Sequence, residues 1–182
     1  MKKNKVICIG ALLFVSAMLS LPASVMAQNS KNNKLIGDSK VAKAEFVKTD
    51  ALMQSLFDNS YGYVIFPNVG KGGVGIGGAA GNGIVFEHGQ AVGSAKMKQV
   101  SVGFQFGGQA YREVIFFENP AALDRFKQNK FEFSAQASAV AATTGASANV
   151  KYRDGVMVFT QQKGGLMYEA SIGGQKFNYN PF

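Results

Sequence analysis

Gln99-Val100-Ser101-Val102-Gly103-Phe104-Gln105-Phe106 decides the fold class. Gln99, Ser101, Gly103 and Gln105 alternate with Val100, Val102, Phe104 and Phe106, and a period of two gives one polar and one apolar face, as in a half-buried antiparallel strand. Gly107-Gly108 follows as a tight connection, and Tyr111 to Phe117 continues as a second strand. Upstream, from Asn59, β-branched and aromatic residues dominate, with glycine at Gly62, Gly70, Gly72, Gly73, Gly75, Gly77, Gly78, Gly81 and Gly83. That mixture reads as short strands and turns. Downstream, Phe131 to Val140, Val156 to Thr160 and Leu166 to Ile172 read as further strands, the last two joined through Gln162-Lys163-Gly164-Gly165.

Two stretches break this β pattern. Asn119-Pro120 supplies an N-cap and an N1 proline for a helix through Ala121, Leu123, Phe126 and Lys127. Between Asp38 and Phe57 the apolar residues Val41, Ala44, Val47, Leu52, Met53, Leu56 and Phe57 fall at helical spacing, with Thr49 and Asp50 as caps between two short amphipathic helices. The expected fold is therefore α+β: leading short helices, then a curled, mostly antiparallel sheet, sandwich or barrel-like, with one inserted helix near 120 to 129.

The N-terminus carries Lys2, Lys3 and Lys5, then an apolar stretch from Val6 to Leu21, then Pro22 and small residues up to Ala27. These are the three parts of a secretory signal, expected to be cleaved after Ala27 and to send the protein to the periplasm or the outside. Ser16, Ser20 and the small-x-small site argue against a membrane anchor, and Cys8 lies within the apolar part rather than at a cleavage point. Residues 28 to 37, rich in Asn, Ser, Lys and Gln, read as a flexible leader, and 38 to 182 as a single domain. Cleavage leaves 155 residues with no cysteine, so the domain depends on its core alone. It also leaves 16 Lys+Arg against 11 Asp+Glu, about +5. Outside the cytoplasm that charge points to a membrane surface rather than to nucleic acid.

Gly73-Val74-Gly75-Ile76-Gly77-Gly78 matches the dinucleotide pattern G-x-G-x-x-G. The pattern works by seating a pyrophosphate on the N-terminus of a helix, and Ala79-Ala80-Gly81-Asn82-Gly83 does not start one, so no nucleotide is expected. Beyond Ala27 there is no cysteine and one histidine, His88, in the turn-like Glu87-His88-Gly89-Gln90. Metal or Ser-His-Asp chemistry is not expected from that inventory, nor is a cofactor. Glu113, Glu118, Glu132, Asp154 and Glu169 leave a paired-carboxylate hydrolase open, although no spacing singles out a pair.

Several motifs in order carry a resemblance. They are Tyr61-Gly62-Tyr63-Val64-Ile65-Phe66-Pro67, Gly70-Lys71-Gly72-Gly73, Ser101-Val102-Gly103-Phe104-Gln105-Phe106-Gly107-Gly108-Gln109 and Ala122-Leu123-Asp124-Arg125-Phe126, followed by Phe133-Ser134-Ala135-Gln136-Ala137 and Gly164-Gly165-Leu166-Met167-Tyr168-Glu169. Together, over residues 40 to 177, the chain resembles the SYLF domain family. The resemblance implies lipid binding without catalysis: eukaryotic members engage phosphoinositides and some bind actin, while bacterial members are typically exported. The actin role belongs to cytosolic proteins with further regions and is not carried over.

No family motif marks a head-group site. Charge and position alone nominate Lys71, in a glycine-flanked loop, Lys96 and Lys98, which share a strand face, and Arg112. The expected partner is an anionic membrane lipid. A small outer-membrane β-barrel or structural envelope protein is the alternative, because of the alternating strands and terminal Phe182.

Overall fold

A computed structural model describes residues 23–74, 76–102, 109–134, 138–163 and 169–182. Helices α1 (Ala23–Thr49) and α2 (Met53–Asn59) precede strands β1 (Gly62–Val74), β2 (Ile76–Glu87), β3 (Gln90–Val102) and β4 (Gln109–Phe117). Helix α3 (Pro120–Lys127) then leads to β5 (Ser138–Ala141), β6 (Val156–Gln162), β7 (Glu169–Ser171) and β8 (Lys176–Pro181), with a short 3-10 turn at Ala146–Asn149. The strands form one sheet in the order β7-β5-β6-β4-β1-β2-β3-β8. The described pairings are antiparallel except β5 with β6.

The two end strands of that order are neighbours in the chain, joined by residues 172–175 alone. Eight flat strands would hold their outer members roughly 34 Å apart. The connection reaches about 18 Å at full stretch, so the sheet has to curl. Contacts across the hollow confirm it: the rings of Phe66 on β1 and Phe177 on β8 lie 5.8 Å apart although β2 and β3 separate those strands. Residues 131–134 run along the seam between the edges. Glu132 bridges to Lys176, the Phe133 N–H donates to Gln175, and the Gly174 N–H donates to Phe133. The end strands share no ladder among the described residues, so the curl is barrel-like but not closed.

Inside the curl Val64, Phe66, Val85, Met97, Ile115, Phe117 and Phe177 pack with Leu123 and Phe126 of α3. That helix starts as Asn119 and Pro120 dictate, the Asn119 side chain accepting from the Ala122 N–H at 3.0 Å. The outer face of β1, β2, β4 and β6 is covered by α1 and α2. Ala42, Phe46, Met53 and Phe57 bury against Tyr63, Ile65, Ile84, Phe86, Val114, Phe116 and Phe159. The sheet is thus apolar on both sides where the helices cover it, and polar outside where they do not.

Three expectations change in detail. Residues 28–37 are helical, the continuation of α1 rather than an irregular leader, because Leu35 and Ile36 pack against the outer core and carry the helix toward the N-terminus. The glycine run after Asn59 makes two long strands rather than short ones, 13 and 12 residues, and Ala79 to Gly83 lie in β2, in keeping with the expectation that no helix starts there. Gly83 shows why glycine serves in a strand here: a Cβ would run into the Ile65 carbonyl and the Phe66 ring. At Gln99 and Val100, where the opening motif begins, the faces are exchanged. Gln99 is buried inside with Ala95 and Met97, while Val100 is 74% exposed. Lys96 and Lys98 must face water, which fixes the phase of β3, and Gln99 compensates by donating to the Gly173 carbonyl at 3.0 Å. Residues 103–108, 135–137 and 164–168 lie outside the described residues, and with them the proposed Gly107-Gly108 connection.

Candidate functional site

On α1, Lys40, Ala44 and Lys48 follow one another at intervals of four, with Lys43 and Val47 on the adjoining row. These five residues and Gln54 of α2 line an open groove of about 450 Å³. Its floor is aliphatic and its rim cationic. Lys43 is held in place from beneath, its Nζ 4.8 Å from the centre of the Phe57 ring and 5.5 Å from that of Tyr63. Such a cation-π contact fixes a lysine at a cost of little charge, being worth about 0.5–1 kcal/mol at an exposed site. On the same helical layer Val41 is 62% and Leu52 52% exposed, large apolar side chains presented to solvent.

The layer is anchored firmly. The Gln161 amide of β6 donates to the Glu45 carbonyl at 3.1 Å and to the Thr49 hydroxyl at 2.6 Å, while its oxygen accepts from Arg112 at 3.1 Å. At the α1–α2 junction Asp50 accepts from the Leu52 N–H and from both donors of Ser147.

The four nominated residues do not form one site. Lys96 and Lys98 do share the outer face of β3, exposed, and the register adds Lys176 of β8 directly opposite Lys98 and Asn178 opposite Lys96. Like charges placed opposite each other repel, and Lys176 finds relief in Glu132 at 3.4 Å. Lys71 is not in a loop but within β1, half-buried and in register with Ala79 and Gln109, because the glycines around it extend the hairpin instead of ending it. Arg112 lies under the helical layer, tied to Gln161, so it positions α1 rather than facing a ligand. The α1 lysines were missed. Their spacing around Ala44 and Val47 was the available signal.

Among the described residues the carboxylates nominated for hydrolysis differ in setting. Glu113 is fully buried inside the curl, Glu118 and Asp154 are exposed, and Glu132 is paired with Lys176 at the surface. The side chain of Glu169 lies outside the described residues. Among the described residues no three of His, Cys, Asp and Glu gather as a metal would need. Nor is any helix among them long and apolar enough to cross a membrane. Lys96, Lys98, Lys176 and Asn178 face outward on β3 and β8 beside Val100, which is not the continuous apolar band of a membrane barrel.

Residues 98–180 match the family model Ysc84, described as "Las17-binding protein actin regulator". Beta cell expansion factor A of Aeromonas veronii is 29% identical over 134 residues, 67% of this chain and 47% of that protein. The chain therefore spans about half the length of the curated relative it matches.

Proposed function

We propose that this chain, a member of the SYLF domain family, is a non-enzymatic lipid-binding protein that meets anionic head groups through the α1–α2 groove. The observation that carries the reading is the groove itself, three lysines around an apolar floor, with Val41 and Leu52 exposed on the same helical layer. Magnitudes assign the roles. A lysine near an anionic surface contributes about 1 kcal/mol, so three supply about 3 kcal/mol, well short of the roughly 8 kcal/mol of micromolar binding. Burying a valine or leucine adds about 1.5–3 kcal/mol, which makes apolar insertion decide affinity and charge decide lipid class. The face of Lys96, Lys98 and Lys176 carries one exposed apolar side chain, Val100, against two on the helical layer, and Lys176 is already paired with Glu132, so it is the weaker contact.

The same reading places the protein outside the cytoplasm, on the strength of the leader ending at Ala27. The residues of α1 that pack on the sheet begin at Leu35, so cleavage leaves them intact. N-terminal sequencing of the exported protein should begin at Gln28, and an uncleaved chain would count against this part of the proposal. For the lipid itself, purified protein should float with phosphatidylglycerol vesicles and stay behind with phosphatidylcholine vesicles. Equal flotation with both, or none with either, would remove the reading.

A further inference from the structure

Glu113 sits in the middle of β4 with its carboxyl inside the curl, fully buried. Its neighbours in register, Phe66 of β1 and Thr160 of β6, are uncharged. Gln175, buried on the connection between β7 and β8, donates from Nε2 to Oε2 of Glu113 at 3.0 Å. The two oxygens left over, Oε1 of Glu113 and Oε1 of Gln175, are both buried and neither has a hydrogen-bond partner. A carboxylate and an amide oxygen only accept, so in the ionised pair neither oxygen has a donor placed on it among the described residues, and turning the Gln175 amide over would strip Glu113 of the donor it has. One proton on Oε1 of Glu113 resolves both defects. The acid hydroxyl donates to Oε1 of Gln175, the amide donates to Oε2 of Glu113, and the pair closes into a neutral ring with two hydrogen bonds.

The surroundings favour that proton. Tyr111, on the same face of β4, is the nearby titratable group among the described residues; burial and the charge of Glu113 push its phenol up against the opposing pull of its own contact with the Gln175 side chain, so it stays neutral and packs on the pair as a hydroxyl. Gln99 from β3 is engaged with Gly173. Arg112 is on the opposite face of β4, and Lys71 is in register with Gln109, roughly 13 Å from Glu113 along the strand. Lys163 beyond β6 is bonded to Asn68. With no cation acting on it among the described residues, burial raises the Glu113 carboxyl to about 7 against the opposing pull of the Gln175 bond.

We infer that Glu113 and Gln175 form a proton-dependent latch that ties β4 to the segment joining the two edges of the sheet. Protonated, the latch holds residues 172–175 in place. Deprotonation leaves a buried charge with one donor, and the connection loosens. What it uncovers is the aromatic seam, where Phe133 and Phe177 lie 5.8 Å apart and Phe126 and Phe177 5.1 Å apart. The sign is fixed by the shift: the latch is closed below the ordinary carboxylate range and opens as pH rises through the folded value.

Two measurements on the full chain test this. Carbon-13 titration of the Glu113 carboxyl should give a midpoint near 7, and a midpoint in the ordinary carboxylate range overturns the latch. Hydrogen exchange at the Gly174 and Phe133 amides, corrected for intrinsic rates, should lose about tenfold or more of its protection between about pH 5.5 and about pH 8.5. Glu113→Gln keeps both bonds as an amide pair with no proton to lose, so its protection should not change with pH. Loss of protection to the same extent in both proteins, or in neither, contradicts the proposal. Should Glu113→Gln fail to fold, the wild-type titration still decides.

Discussion

Oδ2 of Asp50 accepts hydrogen bonds from the backbone N–H and the hydroxyl of Ser147, at 2.8 and 2.7 Å, across 97 positions of sequence. Burial on its own would raise this carboxyl, but those two bonds and the Leu52 N–H hold it below the usual carboxylate range. The contact pins the α1–α2 junction to the turn at Ala146–Asn149, and with it the groove.

Asp50→Ala should cost about 1–3 kcal/mol, since it leaves the Ser147 donors buried without an acceptor. Because the folded value is depressed, the stabilisation is present above the unfolded value near 3.8 and is lost as pH falls through the folded one. Urea unfolding at neutral and strongly acidic pH should show a gap between wild type and variant that narrows in acid. A gap that persists there would mean the carboxylate charge is not what matters.

Phe46→Ala should cost about 3–5 kcal/mol, because Phe46 is fully buried between α1 and the outer face of the sheet. Since α3 and the interior of the curl belong to the other core, the helical layer should loosen first. Amides of α1 should lose exchange protection before those of β1 and β4, and simultaneous loss would show that the two cores fold as one.

Glu87 accepts from Lys127 at 2.6 Å and from the Tyr61 hydroxyl at 2.8 Å, joining the β2–β3 turn to α3. Lys127 and Tyr61 hold the Glu87 carboxyl below its usual range, yet both members of the ion pair are about a quarter exposed. Solvent screening limits the pair to about 0–1 kcal/mol. A double-mutant cycle of Glu87→Gln and Lys127→Met should return a coupling in that range, weakened by salt, and a coupling of several kcal/mol would refute the screening argument.

Where structure is made by neighbours in the chain, the residues could be read directly. Asn119 and Pro120 announce α3, and His88-Gly89 makes the β2–β3 turn with both residues at positive φ. Where a distant partner decides, they could not. Gln99 can turn inward with the phase that Lys96 and Lys98 set because Gly173, 74 positions away, accepts from it, and Lys176 joins Lys98 only because β8 pairs with β3. The polar run at 28–37 hid a helix held by Leu35 and Ile36. The groove escaped for a related reason: the lysines of α1 look like an ordinary solvated face until Gln54 of α2 supplies its other wall and the Phe57 ring holds Lys43 from beneath.

The most direct test of the account is vesicle flotation of the double variant Lys40→Glu/Lys48→Glu against Lys96→Glu/Lys98→Glu, with phosphatidylglycerol vesicles at low salt. Both pairs are exposed, so neither should unfold the protein, and Lys43 keeps its place over Phe57. Reversing two of the three groove lysines should weaken binding by about a hundredfold or more, whereas reversal on β3 should change it by less than about tenfold. Equal losses from the two variants, or a greater loss from the β3 pair, would contradict the assignment of the lipid surface to the α1–α2 groove.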